Sequence, residues 1–117
     1  HWYTHEALRL GNRYLLGVAI SKMVLFGGRM ILAENECLYP YHKWFLRVLA
    51  GTTDRPPDLM ARIDNLYAAP TAEAVEAFYN TIRGFRAWDD GGVRWPVQFM
   101  ADSELNWLDG ATPVDDL

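Results

Sequence analysis

What most narrows the fold is where proline is absent and where it returns. Between Trp2 and Asn35 there is none, and Leu8, Leu15, Ala19, Met23, Phe26 and Met30 recur at helical steps. That spacing marks helix seated on a core by one face. Gly11, Gly17 and the pair Gly27-Gly28 each weaken a helix by about 1 kcal/mol relative to Ala. The stretch therefore reads as one long helix, or as two parted near Gly27, and the paired glycines would equally permit close helix–helix approach. Pro40 then suits the first turn of a new helix, carrying Trp44, Phe45, Val48 and Leu49 to about Ala50.

The remaining punctuation repeats this pattern. Gly51 to Pro57 is a turn by composition, and it leads into a short helix from about Asp58 to Ala68 through Leu59, Ile63 and Leu66. After Pro70, Thr71 is a good N-cap with Glu73 in the first turn, opening a helix with an inner stripe of Val75, Phe78, Ile82, Phe85 and Trp88. Asp89-Asp90-Gly91-Gly92 ends it, and a last helix is expected from about Trp95 to Leu108. No segment alternates apolar and polar residues with period two over a useful length. The expected fold is all-α, an antiparallel helical bundle of about five helices. Residues 1–110 form its single domain and 111–117 a loose tail.

Composition bounds the function. A chain of 117 residues, half hydrophobic and 14% aromatic, can bury one core. A formal charge of -4 argues against a nucleic-acid surface, which needs a dominant basic stripe. Cys37 is the only cysteine, so neither an internal disulfide nor a thiolate zinc cluster is available, and a reducing cytoplasm fits best. The apolar runs are interrupted by Ser21-Lys22 and Gly27-Gly28-Arg29, short of the roughly 20 residues that span a bilayer. A chain that opens on His1 without a leader pattern is expected to be a segment of a longer protein, with an upstream domain holding much of the function.

Small constellations carry less. His1 and His5, four apart with Glu6 beside the second, would share a helix face as a metal site needs. The sequence shows no third ligand at suitable spacing, so no metal site is assigned. Asp89-Asp90 before two glycines reads as a solvated turn, and Cys37 near His42 reads as a free thiol with Pro40 intervening. Trp88, Trp95 and Trp107 read as core.

The run from Glu34 to Trp44 differs in kind, because it gathers acid, amide, phenol, imidazole, ammonium and indole groups in eleven residues around one proline. Glu34, Asn35 and Glu36 close one helix while Tyr39, Tyr41, His42, Lys43 and Trp44 open the next. Convergent polar groups beside aromatic walls are what small-ligand sites contain. The alternative is a solvated loop in which Tyr39 and Trp44 turn inward and the charges face water.

With Asn35, Tyr39, Pro40, Lys43 and Trp44 in place, this stretch resembles the helical region that follows the catalytic domain in nucleotidyltransferases of the antibiotic-resistance type. The similarity covers roughly residues 5–90 in layout and about ten residues in detail. It implies a substrate-binding domain on the acceptor side of a cleft, while an N-terminal domain holds nucleotide and Mg2+. In that role Glu34 or Glu36 would attract a cationic acceptor or take its proton, and Lys43 would neutralise phosphate. Tyr39, Tyr41 and Trp44 would stack, and Asn35 would fix orientation. The Gly-Ser and Asp-x-Asp motifs of the catalytic domain are absent from this chain. No catalytic residue or cofactor is therefore assigned to it. Its expected partners are a small-molecule substrate, the N-terminal domain and, through an aromatic interface, a second copy. Nucleic acid and membrane are not among them. A non-catalytic interaction or dimerisation module is the alternative.

Overall fold

In a computed structural model, residues 1–89 are described. The chain groups into two compact units, His1–Ala87 and Trp88–Leu117. The first holds α1 (Trp2–Leu10), α2 (Arg13–Glu34), a 3-10 turn (His42–Trp44), α3 (Phe45–Ala50), α4 (Leu59–Ala68) and α5 (Ala72–Phe85). The fold is all-α, with five α-helices and no strand among the described residues. The helix expected over 95–108, the tail 111–117, Asp90, Trp95 and Trp107 lie outside them.

The first helical stretch is broken at Gly11, not near Gly27. Gly11 takes the left-handed conformation (φ 63°), which a residue with a Cβ adopts only at a cost. Its N–H donates to Leu8 O at 3.2 Å and that of Asn12 to Ala7 O at 2.9 Å, closing the orphan carbonyls of α1 in a Schellman motif. Asn12 then caps α2 through Oδ1, which accepts from Leu15 N–H at 3.0 Å. Two residues thus end one helix and start the next, and α1 packs back against α2.

Beyond that break α2 runs unbroken through all 22 of its residues. It contacts α1, α3, α4 and α5, so it is the central helix. Its buried residues are Ala19, Ile20, Val24, Gly27, Gly28, Ile31 and Leu32, while Phe26 is exposed. The inward stripe is therefore rotated from the one read in the sequence, which counted large apolar residues and passed over glycines as contact positions. Ser21-Lys22 and Arg29 do not interrupt the helix; all three are exposed. By length and composition alone α2 could cross a membrane, with mean hydropathy 1.7 over 18 residues, but 44% of that window is buried here.

The glycine pair sets how close the partners come. A Cβ on Gly27 would lie 3.0 Å from Phe78 Cζ and 3.1 Å from Ile82 Cγ1. One on Gly28 would collide with Phe45 Cζ and stand 3.1 Å from Leu49 Cδ2. Adjacent helix positions point about 100° apart, so Gly27 seats α5 while Gly28 seats α3. Around them Phe78, Ile31, Leu32, Leu49, Leu59, Ile63, Leu66, Val24 and Val75 are fully buried. Each such side chain contributes about 1.5–3 kcal/mol on leaving water.

α4 and α5 follow their sequence patterns closely. Leu59, Ile63 and Leu66 are the buried residues of α4, and Val75, Phe78 and Ile82 those of α5. Thr71 Oγ1 accepts from Ala74 N–H at 3.2 Å as the expected cap. Hydrogen bonds from its own backbone N–H and the Thr71 hydroxyl hold the Glu73 carboxyl below its ordinary range. The helix stops at Phe85, where Arg86 turns extended, so Trp88 is not part of its stripe.

The paired glycines yield a two-sided expectation. Gly28→Ala should lower stability by roughly 1–2 kcal/mol, the overpacking of Phe45 outweighing the gain in helix propensity. Gly17 has nothing within 4 Å of a built Cβ, so Gly17→Ala should raise stability by about 0.5–1 kcal/mol. Urea denaturation of both variants checks the pair of signs.

Candidate functional site

The segment after α2 is shaped by its helix end. Glu36 N–H donates to Ala33 O at 3.0 Å and Cys37 N–H to Leu32 O at 2.9 Å, a second Schellman motif. Here the left-handed position is held by Glu36 (φ 53°), the one non-glycine with positive φ among the described residues. Tyr41 is extended (φ -53°, ψ 144°) before the 3-10 turn begins at His42. Pro40 therefore lies outside the next helix rather than in its first turn. A proline favours extended backbone in the residue before it, and the hook from Cys37 to Tyr41 uses that preference to reach α3.

The eight residues singled out from the sequence divide into two groups. Asn35 donates through Nδ2 to Ile31 O at 2.8 Å and to Asp54 O at 2.7 Å, and its Oδ1 accepts from Asp54 N–H at 3.0 Å. The amide thus pairs with the backbone of Asp54 as another peptide would, tying the α3–α4 loop to the end of α2. Glu34 Oε2 lies 3.3 Å from Arg86 Nε, while Arg86 Nη2 donates to Asp54 Oδ2. That bond to Asp54, with lesser help from Glu34, pushes the Arg86 guanidinium above its ordinary value. Glu34 and Asn35 are thereby engaged within the protein, joining α2, the loop and the end of α5, and Glu36 completes the turn.

The second group stays at the surface. Leu38 is 92% exposed, Tyr41 67% and Trp44 46%. Arg29 lies over the Tyr39 ring at 5.6 Å, and Lys43 and Arg47 flank Trp44 at 5.1 and 5.6 Å from its centroid. Tyr39 meets Phe45 at 5.4 Å, and Tyr41 and His42 lie ring to ring at 3.9 Å. Phe45 is buried and roots the hook in the core, while Tyr39 and Trp44 are exposed. Cation–π contacts such as these are worth about 0.5–1 kcal/mol at exposed positions. Three cations are therefore held beside exposed rings.

One cluster was only half visible in the sequence. His1 Nε2 and His5 Nε2 lie 2.7 and 2.8 Å from the same oxygen, Glu76 Oε1. The two nitrogens are 3.3 Å apart. The His1 ring stacks on Tyr79 at 4.1 Å, so α5 supplies both the carboxylate and the surface that orients one imidazole. The i, i+4 spacing of the histidines was readable; nothing local marks Glu76, 71 positions from His5, as their companion.

No known protein family matches this chain, nor does any curated protein or solved structure.

Two substitutions test the division of the hook. Asn35→Asp replaces the donor facing Ile31 O and Asp54 O by an acceptor, and should cost about 1–3 kcal/mol in urea denaturation. Glu36→Gly relieves the left-handed backbone and should raise stability by roughly 0.5–1 kcal/mol, after allowance for the freer unfolded chain. Reversal of either sign overturns the role given to that residue.

Proposed function

We propose that this chain is a non-catalytic helical binding module that engages a partner protein through the hook and the first turn of α3. The observation that carries this reading is the exposure of Leu38, Tyr39, Tyr41, Trp44 and Leu46 within nine residues, with Arg29, Lys43 and Arg47 beside the rings. Tyr, Trp and Arg dominate the residues that contribute most at protein interfaces. Rings with two χ angles lose little entropy when a partner covers them. The basic groups gather on a chain whose net charge is -4, which favours a partner presenting carboxylates next to apolar side chains. Two copies meeting by this same surface would oppose cation to cation, which argues against a symmetric dimer here.

A second reading keeps the resemblance to the substrate-binding domains of nucleotidyltransferases. It is favoured by the exposed Tyr41–His42 ring pair and by Lys43 beside Trp44, an aromatic and cationic set suited to a base and a phosphate. Mg2+ and the nucleotide would be held chiefly by a separate catalytic domain. Thermal-shift titration with nucleotides and Mg2+ separates the two readings, since a ligand bound only to the folded state raises the melting temperature.

The binding-module reading is tested with a photo-crosslinking side chain at position 41, introduced in the cell of origin. A discrete adduct from position 41, absent from the still more exposed position 14 and suppressed by Trp44→Ala, is expected. Equal labelling from both positions, or none from 41, overturns the reading.

A further inference from the structure

We infer that His1, His5 and Glu76 form a binding site for a divalent transition-metal ion, of which Zn2+ is the best-fitting representative, linking α1 to α5. The inference stands apart from the hook and does not depend on what the hook binds. Its basis is a geometric match. Two nitrogens bound to tetrahedral Zn2+ at about 2.0–2.1 Å lie ~3.3 Å apart along an edge of the tetrahedron. The two Nε2 atoms are 3.3 Å apart.

The donor set fits as well as the spacing. Two imidazoles and one carboxylate are ligands that Zn2+ accepts readily, and three protein ligands leave a fourth position for water or another ligand. Glu76 Oε1, at 2.7 and 2.8 Å from the nitrogens, is at hydrogen-bonding distance. It would withdraw by roughly half an ångström to occupy a third vertex of the same tetrahedron. Its side chain is 45% exposed, so the movement disturbs no core contact. Without a metal, both imidazoles must donate to one oxygen and their own close approach gains nothing. With one, all three atoms become ligands and the proximity of the nitrogens is accounted for.

The supports of the site come from both helices. His1 and His5 are four residues apart along α1 and its cap, which brings their rings to one face. Their centroids are 4.8 Å apart in a T-shaped pair, and Tyr79, three positions beyond Glu76 on α5, stacks on His1 at 4.1 Å. The ligand side chains are about one-third to one-half exposed, so an ion can enter without local unfolding.

Calorimetric titration of the full chain with Zn2+ tests this, together with titration by Co2+ followed through its visible absorption. One saturable ion per chain is expected, with a rise in melting temperature. His5→Gln and Glu76→Gln should each weaken uptake at least tenfold, the lower end of what losing even an outer-sphere partner costs a metal site (about 10–100-fold). Circular dichroism establishes that each variant is folded, and Glu76→Asp serves in place of a variant that is not. Cys37→Ser and His42→Gln should bind as the parent does. Absence of saturable uptake, uptake unchanged in folded Glu76→Gln, or uptake lost in Cys37→Ser overturns the inference.

Discussion

The close approach that Gly27 and Gly28 give α2 is the constraint on which the rest of the structure depends. Two adjacent positions without side chains let Phe78 and Ile82 of α5 come in on one side and Phe45 and Leu49 of α3 on the other. A glycine pair costs an isolated helix about 2 kcal/mol relative to alanines. The buried rings and branched side chains outweigh that cost because each contributes a comparable amount alone. The exchange places the most flexible residues in the middle of the longest helix. The apolar stripe of α2 is correspondingly weak, because Gly27 and Gly28 lie on its buried face while Tyr14, Val18 and Phe26 are exposed.

The hook inherits its position from the same contact. Phe45 lies against Gly28, so the start of α3 is fixed relative to α2. The chain between Glu34 and Phe45 must then span a set distance. It does so with a Schellman turn on Glu36 followed by extended backbone. Asn35 and the Glu34–Arg86–Asp54 group secure the turn at its base. At one end of this run Glu34 and Asn35 are consequently tied to Arg86 and to the Asp54 backbone, while Glu36 stays exposed. The aromatic and cationic groups at the other end are left facing out.

Much of this architecture was legible in the sequence, for reasons that differ by element. α4 and α5 each have one buried face, so Leu59-Ile63-Leu66 and Val75-Phe78-Ile82 display it directly, and the Thr71 cap marks where α5 begins. α2 was misread in phase because its contact positions include glycines, which a hydrophobic pattern cannot count. The break at Gly11 was missed because several glycines in one segment look alike until tertiary contacts decide which one turns. Of the eight residues in the Glu34–Trp44 run, position was readable but engagement was not. Asn35 is bound to a backbone 19 residues away, a relation no local spacing encodes.

The His1–His5–Glu76 cluster shows how far one turn residue can reach. Only a left-handed residue followed by a cap returns the chain within two positions, and Gly11-Asn12 supplies both. Had α1 and α2 continued as a single helix, the face bearing His1 and His5 would extend away from the other helices and the histidines would remain a pair. The return lays α1 along α2, and because Gly27 draws α5 against α2, α1 also meets α5. Thr4 and Ala7 are the residues of α1 that are buried, so little apolar surface secures its outer end. The three-residue cluster joins that end to α5. It couples the position of α1 to a polar interaction, unlike the apolar contacts that hold α3, α4 and α5.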